Sequence, residues 1–146
     1  MSALAGLRDM PMWQSMRSGE WIPARAMQEL FAMKLIIAII RPEKFEEVQA
    51  ALNKVEVYLM TCSDVRGCGR QRGFKEQYRG SEGVTRLLPK VNLEIGVNDA
   101  FVEPTVQAIM KAAHSGNVGD GKIFVLPMDD CFRIRTGETG GAAIGP

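Results

Sequence analysis

The run "LIIAII", residues 35–40, constrains the fold more than any other stretch of the chain. Six apolar residues, four of them isoleucine, favour an extended backbone, where branched side chains pack well. The run is far shorter than the ~18 residues of a membrane-crossing helix. It ends at Pro42, so "MKLIIAIIR" (33–41) is predicted to be a strand. A strand with no polar side must be covered on both faces, which places it in the middle of a sheet.

The elements that follow supply that sheet and one of its covers. "PEKFEEVQAALNKV" opens with a proline suited to a first helical turn and has Phe45, Val48, Ala51, Leu52 and Val55 at helical spacing. "EVYLMTCSDVRG" (56–67) is predicted as a second strand and "VNLEIGV" (91–97) as a third. "DAFVEPTVQAIMKAAH" is a second amphipathic helix, with Pro104 tolerated in its first turn. "KIFVLP" is a fourth strand, "CFRIRTG" a short extended piece, and the tail "ETGGAAIGP" is small and flexible by composition. Strand, helix, strand, strand, helix, strand is the ferredoxin-like βαββαβ order of an α+β domain. Its helices cover one face of the sheet, and self-association is the simplest cover for the other.

Two regions stand outside this pattern. Residues 1–32 hold both tryptophans, Trp13 and Trp21, carry three arginines against three acids, and lack the charged start and apolar centre of a secretory signal. They are expected to be an extension with little order or a product of an upstream start codon, with Met33 opening the domain proper (33–146). A partner-binding arm is the rival reading. Between Arg66 and Lys90 the chain is polar and glycine-punctuated, with seven bases against two acids, although the whole chain is only +1. Structureless loops beyond about 12–15 residues in compact domains are usually functional or disordered.

The chemistry is more selective. "GNVGDGK" (116–122) nearly spells a phosphate-binding GxxxxGK[ST] loop, but Ile123 stands in the hydroxyl position. A helix precedes it and a strand follows, the reverse of the P-loop order, so no helix N-terminus faces a phosphate. What remains is a glycine-rich turn whose amides can form an anion nest, with Lys122 as a point charge. An ordinary tight turn is the simpler alternative. Arg133 and Arg135, two apart in a segment expected to be extended, would share a face and could grip an anion or merely be solvated. Cys62, Cys68 and Cys131 form no CxxC pair, and His114 is the only histidine, which disfavours a disulfide scaffold, a zinc site and a Ser-His-Asp relay. No nucleophile–base pair stands out, so the chain is not expected to be an enzyme. The basic loop has only Phe74 and Tyr78 as aromatics and no RNA-binding sheet motif, so no direct nucleic-acid partner is expected.

The strings "IIRPEK", "GCGRQRG", "YRGSEG", "LLPKVNLEI", "GNVGDGKIFVLP" and "RIRTGE" together resemble the PII nitrogen-regulatory signal-transduction family over about residues 33–144. That resemblance implies a ferredoxin-like homotrimer with ATP or ADP in clefts between subunits. It implies a T-loop at about 69–89, a B-loop at about 115–122 and a C-loop at about 133–146. It assigns nucleotide contacts to Thr61, Arg70, Glu94, Gly119, Asp120, Gly121, Lys122, Arg133 and Arg135. For 2-oxoglutarate it assigns Gly69, Gln71, Arg72, Lys90 and Gly119, with Gln71 reaching a magnesium ion bridged to ATP and the metabolite. Tyr78 and Arg79 match T-loop positions that contact partners, among them an ammonium transporter or nitrogen-assimilation enzymes. Such a protein is cytoplasmic and meets a membrane only through a transporter. In the resemblance, Gly83 replaces the tyrosine that many relatives carry for nucleotidylation, so no modification is expected there, and Ser81 is a candidate for phosphorylation. A nucleotide-binding interaction module without 2-oxoglutarate sensing is the alternative.

Overall fold

The computed structural model describes residues 32–69 and 87–145. The expectations for Arg70, Gln71, Arg72, Tyr78, Arg79, Ser81, Gly83 and all but the last residue of the 1–32 extension therefore lie outside the described residues. Four strands form one antiparallel sheet in the order β2-β3-β1-β4. They are β1 (Met33–Ile40), β2 (Thr61–Gly67), β3 (Leu88–Asn98) and β4 (Gly121–Pro127). Helix α1 (Phe45–Lys54) links β1 to β2, and α2 (Val102–Ala113) links β3 to β4. This is the ferredoxin-like arrangement, with the all-apolar β1 in the interior between β3 and β4.

The sequence periodicities explain the packing. Both helices begin as a single 3-10 turn, at Pro42–Lys44 and Asp99–Phe101. Val48 and Leu52 of α1 and Ile109 and Ala113 of α2 are buried, one stripe on each helix. They meet Ile36, Ala38 and Ile40 of β1 and Val91, Leu93, Ile95 and Val97 of β3, which alternate along their strands and so share one sheet face. Thr105, fully buried in α2, donates its hydroxyl to the Phe101 carbonyl 2.6 Å away, so its polar group is satisfied within the helix.

Among the described residues, the opposite face has no helical layer. Register places Thr61, Glu94, Ile37 and Phe124 in one row across it, and Ser63, Asn92, Ile39 and Lys122 in the next. Phe124 and Leu126 are exposed here, and the Asn92 Oδ1 is buried with no hydrogen-bond partner among the described residues. A third helix, α3 (Gly140–Ile144), covers only the end of this face. Ile144 lies over Gly96, where an added Cβ would come within 3.4 Å of it, and the Asn98 amide donates to the carbonyls of Gly141 and Gly145.

Three sequence expectations need correction. Residues 56–60 are not strand; β2 begins only at Thr61, because Glu56 takes a left-handed φ of 63° in the turn that ends α1 and Val57 turns into the core. "CFRIRTG" is not an extended piece but a turn closed by a Phe132–Thr139 bridge, in which the Arg133 carbonyl accepts from the Thr136 and Gly137 amides. The tail is not uniformly loose: Ala143 and Ile144 are buried, since two apolar residues after a glycine pair find the uncovered end of the sheet.

Candidate functional site

The B-loop, residues 115–122, leaves α2 and enters β4 beside the ends of β1 and β3. Its shape is set by one carboxylate. Asp120 accepts hydrogen bonds from the Ser115 amide (2.7 Å), the Ser115 hydroxyl, the Gly116 amide (3.0 Å) and the Arg41 Nε (3.1 Å). Donation by Ser115, first through its hydroxyl and then its amide, holds the Asp120 carboxyl well below the ordinary carboxylate range, with Arg41 and the Gly116 amide adding to it. Both oxygens are thus engaged inside the loop. Asp120, expected to contact nucleotide, has only its backbone left for that task.

Two cations take successive carbonyls of the same loop. Arg41 donates to the Val118 oxygen at 2.7 Å, and Lys90 donates to the Gly119 oxygen at 2.6 Å. Partial burial, then the charge of Arg41, lowers the Lys90 pKa, while Glu43 and Asp120 oppose the shift. The glycines are required where the backbone bends. Gly116, Gly119 and Gly121 have φ of 83°, 105° and 109°. At Gly121 a Cβ would stand 1.7 Å from the Ile39 carbonyl oxygen, so no side chain fits.

The structure brings some of the expected residues together and separates others. Lys90, Gly119, Asp120, Gly121 and Lys122 converge at one end of the sheet. Thr61 and Glu94 are cross-strand partners on the same open face as Lys122, one row away. Glu94 accepts from the Asn92 amide at 3.2 Å. Gly69 closes the described part of the chain after β2, with open space where a Cβ would be. The Lys122 side chain makes no hydrogen bond or ion pair to another described residue. A groove of about 370 Å³ runs between α2 and β4 past Met110, His114 and Asp120. Lys122 and Gly121 line it at the start of β4, and Thr61 and Glu94 do not.

Arg133 and Arg135 are elsewhere. Arg133 pairs with Glu138 at 2.7 Å and donates to the carbonyls of Ala142 and Ala143, which tie it to α3. That helix sits at the Gly96 end, and six residue steps of β4 separate the two ends, roughly 20 Å at strand spacing. The shared-face expectation for the two arginines fails, because the segment turns. Arg135 makes no hydrogen bond or ion pair to another described residue. Two contributors escaped the sequence reading. Ser115 had a usable signal, a hydroxyl opening a glycine-rich turn that an Asp closes. Arg41 had none, since 79 positions separate it from Asp120.

Fold and loop together define a small α+β domain that presents an amide-rich loop and lysines beside an open sheet face. The family described as "Nitrogen regulatory protein P-II" matches residues 33–138. A P-II protein of Azospirillum brasilense is 51% identical over 112 residues, covering 77% of this chain and all of that one. The GlnK1 protein of Methanosarcina mazei is 50% identical over 117 residues, 79% of this chain and all of that one. Among solved structures, Arabidopsis thaliana PII bound to citrate superposes with a TM-score of 0.64 at 36% identity, covering 77% of this chain and 90% of that one. The chain belongs to the P-II nitrogen regulatory family, whose members named here are regulatory proteins.

Proposed function

We propose that this protein is a ligand-responsive regulator of nitrogen metabolism, without enzymatic activity of its own, that binds ATP or ADP and senses 2-oxoglutarate. The observation that carries this reading is the preformed B-loop: Asp120 organises it internally, and the Lys122 side chain beside it makes no hydrogen bond or ion pair to another described residue. Amides of a nest and a nearby ammonium suit the phosphates of a nucleotide. Thr61 and Glu94, one row further on the same face, suit the adenosine.

Arg133 and Arg135, about a sheet length away in the same chain, complete the phosphate site when a second copy brings its own C-terminal turn to the loop. A homotrimer with the nucleotide between subunits satisfies that need and covers the exposed Phe124 and Leu126 as well as the unpartnered Asn92 Oδ1. Lys90, Gly69 and Gly119, with Gln71 and Arg72, would take 2-oxoglutarate through a magnesium ion held with ATP, since two carboxylates and a triphosphate share a site only with a cation among them. The Arabidopsis relative's citrate is likewise a polycarboxylate.

The output would run through residues 69–89, where Tyr78 and Arg79 meet a cytoplasmic enzyme or an ammonium transporter. No described helix is long and apolar enough to cross a membrane. Calorimetry of Mg·ATP with and without 2-oxoglutarate tests the reading: 2-oxoglutarate should bind only when Mg·ATP is present. Lys90→Ala should abolish 2-oxoglutarate binding and weaken ATP far less. ATP binding that is indifferent to 2-oxoglutarate would leave a nucleotide-binding interaction module instead.

A further inference from the structure

We infer that Arg41 is a positioning residue for phosphate, one that sets the direction of the B-loop amides without touching the nucleotide; this rests on the phosphate reading above. Arg41 follows β1, and the register carried one step past Ile40, which pairs with Val91 and Gly121, sets it between Lys90 and Asp120. Its Nε holds the Asp120 carboxylate at 3.1 Å, and a second guanidinium nitrogen holds the Val118 carbonyl at 2.7 Å. The two charged side chains are only 19% and 23% exposed, so solvent screens the pair less than it does a surface ion pair. Glu43, the other acid beside Arg41, is 3.8 Å away and largely in solvent.

The carbonyl contact matters because of peptide geometry. In a trans peptide the C=O of one residue and the N–H of the next point in opposite directions. Drawing the Val118 oxygen toward Arg41 therefore turns the Gly119 N–H away from Arg41. Lys90, on the Gly119 oxygen, does the same for the Asp120 N–H. Two adjacent amides of the nest are thus oriented by cations behind the loop, and the Asp120 carboxylate fixes the loop's entry at Ser115 and Gly116. A guanidinium can do this because its planar fork serves two acceptors at once, whereas a lysine ammonium is a single compact centre on a flexible stem. Arg41 is engaged by the loop itself, so its effect on the nucleotide passes through amide orientation.

The test measures Mg·ATP affinity calorimetrically on the full-length protein, comparing wild type with Arg41→Gln, Arg41→Lys, Asp120→Asn and the Arg41→Gln/Asp120→Asn double variant, each checked by thermal melting. Arg41→Gln should weaken ATP about tenfold, the size expected from losing charge-assisted contacts to the loop. Arg41→Lys should fall between Arg41→Gln and wild type while melting like wild type. The double variant should lose clearly less than the product of the two single losses, because both act on one loop conformation. Multiplicative losses would mean that Arg41 and Asp120 act independently and would overturn the inference, as would an Arg41→Gln protein that binds ATP as wild type does. If Arg41→Gln does not fold, Arg41→Lys decides: undiminished affinity refutes the positioning role. Wild-type protein that binds no ATP would instead fail the phosphate reading itself.

Discussion

The B-loop and the C-terminal turn both carry residues suited to phosphate, and they are built differently. In the B-loop the Ser115 and Asp120 side chains are directed inward, Arg41 and Lys90 bond to the loop from β1 and β3, and these bonds all lie within one chain. In the C-terminal turn, Arg133 is committed to Glu138 and to the end of α3, while Arg135 makes no hydrogen bond or ion pair to another described residue. Two arginines two positions apart therefore have different duties. The first anchors a segment of chain, and the second has a guanidinium that no described residue ties down.

The largest effect expected from breaking that contrast is at Gly121. Gly121→Ala puts a methyl group 1.7 Å from the Ile39 oxygen at a φ of 109°, so the start of β4 or the loop must move. A stability loss above about 3 kcal/mol, together with loss of ATP binding, is expected, read by denaturant melts and calorimetry. A well-folded alanine variant with normal ATP affinity would show that the loop is not held as described.

The arginines sharpen the comparison. Lys122→Ala and Arg135→Ala should each weaken ATP about tenfold or more without moving the melting temperature, since each removes a charge that no other described residue uses. Arg133→Ala should weaken ATP and also lower the melting temperature, because it frees Glu138 and the carbonyls of Ala142 and Ala143. Identical behaviour of the two arginine variants in melting would erase the distinction between anchor and ligand.

The smallest effect is on pH dependence. The Asp120 carboxyl titrates in the folded loop below its ordinary value of 3.8, chiefly through Ser115. A depressed carboxylate stabilises the fold fully above that ordinary value, and the contribution is lost as pH falls below it toward the folded value. Acid melts of wild type should therefore show a loss of stability below that point that is blunted in Asp120→Asn. Parallel curves for the two proteins would mean that the carboxylate bonds do not stabilise the folded loop.

How much of this was legible in the sequence varies by region. The strand at "LIIAII", the stripe of Val48 and Leu52 and the second amphipathic helix were readable because spacing reports which face is buried. The glycines of the B-loop were readable as a turn, and Lys122 as its charge. The shape of "RIRTG" was not, because alternation suggests a strand only where a neighbouring strand pairs with it, and here the chain folds back on itself at Thr136 and Gly137. The tail's order was not legible either, since "GGAAI" has little intrinsic preference and becomes a helix only where Ile144 finds Gly96.

The sequence by itself determined the element order, the central strand, the glycine-rich loop and the family resemblance, because these rest on local spacing and on strings of residues. Only the tertiary structure decided that Arg41 and Lys90 reach the B-loop from β1 and β3, that the Asp120 carboxylate is occupied inside it, and that Arg133 and Arg135 part company. Those facts depend on strand register and on contacts between residues as far apart as 79 positions, and no local pattern encodes a contact of that span.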